Sequence, residues 1–168
     1  VTDAVRAAAL TCGFQMIDTP SLEYAETLLG QGGDETDKEV YRLTDHGDRK
    51  VAMRFDLTVP FARFIAENQG TLVFPYKRCQ IGNVWRGEKP QKGRYREFCQ
   101  ADLDIIGVDS LAADIEILST FQRVLVSLNV GDFTIRVGHR AILSALIRQC
   151  FPEIDLSLIH ISEPTRPL

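Results

Sequence analysis

Residues 84–107 read VWRGEKPQKGRYREFCQADLDIIG, and the architecture of the chain turns on how this stretch is parsed. Its middle, Lys89-Pro90-Gln91-Lys92-Gly93, is a polar turn: proline removes a backbone donor and glycine tolerates a positive φ. On either side apolar and polar residues alternate with the period of two that belongs to a β-strand. The pattern predicts two long strands, residues 74–88 and 94–106, folded back on each other. On the first, Cys79, Ile81 and Trp85 oppose Arg78, Gln80 and Arg86. On the second, Cys99, Ala101, Leu103 and Ile105 oppose Arg94, Arg96, Gln100, Asp102 and Asp104, with Phe98 the one aromatic on the polar side. Farther upstream, Val51, Met53, Phe55 and Leu57 oppose Arg54, Asp56 and Thr58 in the same way. The expectation is a sheet with one apolar face turned to the core and one face on which charges and amides converge.

Outward from these strands the signals are local. A helix up to Thr11 stops at Gly13, and residues 14–18 read as a short strand ending at the turn before Pro20. Residues 22–29 read as a helix stopped by Gly30, and residues 40–44 and 50–56 as a hairpin around His46-Gly47-Asp48. Pro60 opens a helix with Phe61, Phe64 and Ile65 on one face, closed by residues 68–70. A long helix is predicted for residues 110–128, with Leu111, Ile115, Leu118, Leu125 and Leu128 as its core stripe. A strand at 133–137 and a helix at 140–150 follow. Short turns rather than crossover helices join most strands, which predicts an α+β fold, an antiparallel sheet with helices packed on one face.

The 168 residues are 45% hydrophobic and 25% charged, the make-up of a globular domain, and the net charge of −4 excludes a uniformly basic nucleic-acid coat. The apolar runs are too short for a membrane span, and the opening residues lack a secretory leader pattern, so a cytoplasmic protein with no membrane partner is expected. Cys12, Cys79, Cys99 and Cys150 form no C-x-x-C pair. That spacing predicts reduced, mostly buried thiols, with no metal ligands and no disulfide framework. His46, His139 and His160 stand alone, leaving little for a Ser/His/Asp hydrolase. Gly30, Gly32 and Gly33 miss the G-x-G-x-x-G register because position 35 is Glu35, and no P-loop pattern occurs. Charge is uneven: the interval from Lys77 to Glu97 carries +5 and the remainder −9. A concentrated positive site beside a flat ring suits a nucleoside triphosphate, guanidiniums taking phosphate oxygens and the ring taking the base.

The ends read differently. Val1 runs straight into a helical pattern without a methionine, which suggests a fragment. Residues 156–168, LSLIHISEPTRPL, follow no helix or strand logic and look like a translated sequencing adapter. The expected organisation is a partial catalytic domain over residues 1–155 and a non-native tail over 156–168.

Three colinear segments carry a family resemblance. Residues 84–107 resemble motif 2 of class II aminoacyl-tRNA synthetases in the form found in the histidyl-tRNA synthetase family. Residues 54–63, RFDLTVPFAR, resemble the segment of that family that receives histidine. Residues 13–30, GFQMIDTPSLEYAETLLG, resemble motif 1, which builds the dimer interface around a proline, here Pro20. The family fold is an antiparallel sheet flanked by helices. The resemblance implies L-histidine, ATP with its Mg2+ and tRNA(His) as partners of a homodimeric histidine–tRNA ligase. It implies that Arg86 is catalytic, holding the α-phosphate of ATP and the carboxylate region of histidine. Glu88 would meet the adenine or the tRNA acceptor end, Arg94 the outer phosphates, and Phe98 would stack under adenine. Asp56, Leu57, Thr58, Gln100 and Asp104, with Arg86, would surround the amino acid.

Local roles compete with these. Asp56 and Thr58 are also suited to cap the helix near Pro60, and Asp102 and Asp104 to pair with nearby arginines. Arg96 and Asp102 are assigned to such ion pairs, Arg96 with Glu97, and Trp85 and Tyr95 to packing. The family's second histidine segment, its motif 3 arginine and its anticodon-binding domain have no counterpart in residues 1–155, so the resemblance implies an inactive fragment. Two other readings stay open. One is the non-catalytic regulatory subunit of ATP phosphoribosyltransferase, which shares the fold and binds histidine as an effector. The other is a nucleic-acid-binding module built on the +5 interval.

Overall fold

Helix α1 (Thr2–Thr11) opens the chain in a computed structural model that describes residues 1–29, 39–89 and 91–150. The predicted stop at Gly30, the other glycines at 32 and 33, Pro90 and the tail 156–168 lie outside the described residues. The chain divides into two compact units, Val1–Gly131 and Asp132–Leu168.

In the first unit α1 ends as its sequence dictates: Gly13 takes φ 78, and the backbone then turns so that Phe14 N donates to Ala9 O (3.0 Å) and Phe14 is buried. Strand β1 (Gln15–Met16) pairs in parallel with β5 (Tyr76–Trp85), and β5 pairs antiparallel with β6 (Glu97–Ile106) along its whole length, Tyr76 opposite Ile106 and Trp85 opposite Glu97. A second small sheet has the order β2 (Leu22–Tyr24), β4 (Lys50–Met53), β3 (Arg42–Thr44), all antiparallel. Helix α2 (Ala25–Leu29) follows β2, helix α3 (Thr58–Asn68) follows β4, and helix α4 (Leu111–Ser127) follows β6.

Apolar burial explains the layers. Ala9, Phe14 and Cys79 form one cluster with Leu103, Ile105 and Ile117, which seats α1 and α4 on the odd-numbered face of β5 and β6. Phe61, Ile65 and Tyr76 form a second, seating α3 on the opposite face at the Tyr76 end. The central sheet is therefore covered on both faces, not one. Lys77 fastens the first layer: its ammonium donates to Cys12 O (2.6 Å) and Glu116 Oε1 and lies 4.9 Å from the centre of the Phe14 ring. A third cluster, Ala25, Leu28, Val40 and Ala52, holds α2 on the smaller sheet.

The structure revises several sequence expectations. The helix expected at 22–29 begins as strand, because Leu22, Glu23 and Tyr24 pair with Met53, Ala52 and Val51. The expected stripe of the long helix is open at Leu111 and Ile115, whereas Thr120 and Val124 are buried. The apolar side of β4 is not its buried side: Ala52 and Arg54 are buried while Val51 and Met53 are half-buried. Of the four free cysteines only Cys79 is buried, and burial raises its thiol pKa. Tyr95, expected to pack, is exposed.

In the second unit α5 (Arg140–Cys150) forms as predicted, with the Ala141 amide donating to His139 Nδ1 at 3.2 Å. Residues 133–137 are not a strand. Alternation alone does not make one, and among the described residues no strand pairs with this segment.

Candidate active site

The even-numbered face of β5 and β6 gathers most of the residues singled out in the sequence, and it is largely withdrawn from water. Arg78 and Gln80 have 0% exposure. A buried guanidinium must be balanced, and the register supplies the partner: Arg78 lies directly opposite Asp104. Its Nε sits 2.7 Å from Asp104 Oδ2 in an ion contact that is off-line for a hydrogen bond, and its Nη2 lies 3.9 Å from Asp102 Oδ2. The same guanidinium donates to Leu57 O (3.1 Å) and Gln80 Oε1 (3.2 Å) and stacks 4.3 Å over the Phe61 ring. Burial pulls the Arg78 pKa below its ordinary value against the opposing pull of the two aspartates. Burial likewise raises that of Asp102, opposed by Arg78.

Two acceptors on this face, Gln100 Oε1 and Asp104 Oδ2, are buried with no hydrogen-bond donor among the described residues. Buried polar atoms in that condition are uncommon, and each invites an explanation. Gln100 and Asp104 are four residues apart on one strand, about 13 Å between Cα atoms, so they address opposite ends of a small ligand rather than one group. An open cavity of ≈ 380 Å³ runs past Thr58, Asp102 and Asp104 to Ile117, Leu118 and Phe121 on α4.

Arg86 lies at the far end of β5. Its Nε donates to Phe55 O (3.0 Å), and its guanidinium carbon lies 5.1 Å from the centre of the Phe98 ring. Phe98, set on the even face of β6, is half-buried and already pairs with a cation. Past the strand end Gly87 N donates to Glu39 O (2.7 Å), and a Cβ on Gly87 would stand 3.1 Å from that oxygen. Glu88 accepts from Arg94 Nη1 at 2.9 Å, an exposed ion pair across the loop.

The remaining expectations separate. Asp56 caps α3, its Oδ1 accepting from Val59 N (3.1 Å), and Leu57 is fully buried between Arg78 and the helix start. Thr58 is exposed at the cavity rim, one position before Val59 and two before the buried Pro60, so the helix begins ahead of the proline. Arg96 donates to Glu88 O (3.3 Å) and Glu97 accepts from Asn83 (2.8 Å); they do not pair with each other as expected. The +5 interval is not one surface either, since Lys77 and Arg78 point to opposite faces and Arg78 is enclosed with two aspartates. Pro20 is exposed beside the smaller sheet.

One residue beside this site was underrated in the sequence: Arg54. It has 4% exposure and donates to Asn83 O (2.9 Å), Thr19 O, Thr19 Oγ1 (3.3 Å) and Asp18 Oδ1 (3.3 Å). Its own carbonyl accepts from Trp85 N (3.0 Å), next door to the carbonyl that holds Arg86. Gly82 makes room for it, as a Cβ there would stand 2.5 Å from Arg54 Nη2. The signal was present in the lone arginine set between Met53 and Phe55 and in the glycine of the neighbouring long strand.

The family model described as histidyl-tRNA synthetase matches residues 1–156. The chain belongs to the histidyl-tRNA synthetase family. The histidine–tRNA ligase of Treponema denticola is 55% identical over 136 residues, 81% of this chain and 30% of that protein. The histidine–tRNA ligase of Helicobacter hepaticus is 52% identical over 138 residues, 82% of this chain and 31% of its own length. The chain thus spans about a third of the curated relatives it matches. Among solved structures, histidyl-tRNA synthetase from Nostoc sp. PCC 7120 superimposes with a TM-score of 0.76 at 31% identity, over 93% of this chain and 34% of that one. A Bacillus halodurans protein titled ATP phosphoribosyltransferase regulatory subunit/histidyl-tRNA synthetase gives 0.74 at 27% identity, over 88% of this chain and 38% of that one. These likenesses extend the family's fold to the sheet and flanking helices described above.

Proposed function

We propose that this member of the histidyl-tRNA synthetase family supplies the motif 1 and motif 2 part of a histidine–tRNA ligase. In that reaction the histidine carboxylate attacks the α-phosphorus of ATP in line, pyrophosphate leaves, and the histidyl group of the adenylate passes to tRNA(His). The observation that carries the reading is a pair of buried acceptors on the face that also bears Arg86 and Phe98: Gln100 Oε1, with no donor among the described residues, and Asp104 Oδ2, held only by the off-line contact with Arg78. L-Histidine offers N–H donors at both ends, an ammonium and an imidazole, which matches acceptors set well apart. Recognition of this kind rejects amino acids lacking the second donor, because a buried acceptor is then left unpaired.

Arg86 is already oriented by Phe55 O, so its guanidinium can meet charge developing on the α-phosphate with little rearrangement. Phe98 offers the adenine a stacking surface on the site side of Arg86, and Arg94, once released from Glu88, reaches the outer phosphates. Glu88 is then free for the adenine or the tRNA acceptor end. Thr58 stands at the rim of the histidine end, while Asp56 holds the first turn of α3 and the buried Leu57 anchors the loop between them. ATP is expected to bring Mg2+ with it, as the resemblance to the family implies. Pro20, exposed, marks the homodimer face. No described helix is long and apolar enough to cross a membrane; we place the enzyme in the cytoplasm, where tRNA charging takes place.

The test is histidine-dependent pyrophosphate exchange by the complete gene product. Arg86→Ala is expected to lower kcat/KM by about 100-fold or more, as for loss of one donor aimed at developing charge. Histidine binding with no ATP binding by the unaltered protein would favour the regulatory-subunit reading instead. Residues 1–155 alone are expected to show no exchange.

A further inference from the structure

We propose that Arg78 is a positioning residue for histidine: one buried guanidinium fixes the two sides of the amino-acid pocket, the Asp56–Thr58 loop and the Asp104 carboxylate, relative to each other. The inference rests on the histidine site argued above and adds to it a residue that does not touch substrate.

The geometry is specific. Arg78 is fully enclosed, and apart from a 3.9 Å ion contact with Asp102 its polar contacts end on groups of that pocket or its support. Nη2 donates to Leu57 O (3.1 Å), the carbonyl between Asp56 and Thr58. Nε holds Asp104 Oδ2 at 2.7 Å without an aligned hydrogen bond, so this oxygen is charge-balanced and still able to accept from a ligand. Nη1 donates to Gln80 Oε1 (3.2 Å), and Gln80 Nε2 donates onward to Thr19 Oγ1 (2.9 Å) and Asp18 Oδ1 (3.3 Å). Phe61 of α3 covers the guanidinium from one side, 4.3 Å away, so the fork has no room to swing. Leu57 lies 21 residues before Arg78 and Asp104 pairs with it across the sheet, so neither side of the pocket fixes the other through local structure. A planar, multi-donor cation is what such a junction requires. Lysine supplies the charge but only one donor atom, and methionine supplies the stem alone.

The experiment measures histidine-dependent pyrophosphate exchange by the complete gene product, unaltered and as Arg78→Lys and Arg78→Met, with thermal melts of each. Arg78→Met is expected to raise the KM for histidine by about tenfold or more, while the KM for ATP stays within about twofold, because Arg86 and Phe98 are held by other contacts. Arg78→Lys is expected to recover part of the histidine effect. If Arg78→Met does not fold, the lysine variant decides alone, by a histidine KM raised at least about threefold with the ATP KM unchanged. Unchanged histidine KM in the folded variants overturns the proposal, and so does an equal rise in both KM values, the mark of general loosening. Absence of histidine-dependent exchange in the unaltered protein overturns the ligase reading itself, and the role of Arg78 with it.

Discussion

Replacing Gly82 by alanine probes the polar interior directly. The backbone at Gly82 is ordinary, so any cost comes from space and not from φ. A Cβ built there stands 2.5 Å from Arg54 Nη2 and 3.4 Å from its Cζ, whereas Leu57 Cδ2 at 3.8 Å is in normal contact. Comfortable separation needs about 3.5 Å or more, so the guanidinium must retreat by roughly 1 Å. The far end of an arginine usually moves freely, but this one has 4% exposure and is held by Asn83 O, Thr19 O, Thr19 Oγ1 and Asp18 Oδ1. Overpacking costs about 1–3 kcal/mol, and weakening one charge-assisted bond about as much. The two overlap, since moving the fork is what relieves the clash, so a loss of about 3 kcal/mol is expected. For a unit of this size that corresponds to a fall in Tm of roughly 10 °C. Urea unfolding followed by circular dichroism measures it, and a change under about 0.5 kcal/mol would refute the reasoning. The decisive control is the same substitution in an Arg54→Met background, where the clash is gone and the added cost is expected to fall below about 1 kcal/mol. An equal cost in both backgrounds would place the strain somewhere other than Arg54.

Glu23 has 6% exposure and its Oε1 receives both Nη2 (2.7 Å) and Nε (3.1 Å) of Arg63. Because Arg63 is itself 27% exposed, Arg63→Met is expected to destabilise by about 2 kcal/mol, below the range for a fully buried pair, and Glu23→Gln in the same chain to recover part of it in a urea double-mutant cycle. Asp45 accepts from the Arg49 and Gly47 amides and from Arg49 Nε, and the Arg49 amide leads in holding its carboxyl below the ordinary 3.8. A lowered acid contributes stability above its unfolded value and loses it as pH falls through the folded one, so this turn is expected to hold at pH 4 and loosen only below 3.8. A carboxyl midpoint for Asp45 at or above 3.8 by NMR titration would contradict this assignment.

What was legible in the sequence was whatever is decided within a few residues. The stop of α1 at Gly13 and the turn at His46-Gly47-Asp48 rest on local backbone chemistry, and both form where expected. The long hairpin was legible because ten residue pairs in one register repeat the same alternation. What failed depended on distant partners. Arg54 and Arg78 read as members of a wet or ligand-facing surface, yet both are enclosed, because carbonyls and carboxylates 21 to 36 residues away satisfy them. Polarity in a strand signals water only when the interior offers no acceptors, and the local pattern does not reveal that. Leu22 to Tyr24 lost their helical tendency to pairing with β4 for the same reason. Within the site, the chemistry of Gln100 and Asp104 could be named from residue type, but their condition as buried acceptors without donors needed the packing.

The Lys77 fastening has a consequence for synthesis. It ties Cys12, 65 positions earlier, to Glu116, 39 positions later, and closes α1 and α4 over one side of the central sheet. A ribosome adding about 5–20 residues each second would take on the order of 5–20 s to move from α1 to the helix that covers it. Over that interval Ala9 and Phe14 have no permanent neighbour on α4, and the nascent chain is a client for whatever holds apolar segments apart. Among the described elements, α1 is made ahead of the rest and is one of the last to be secured.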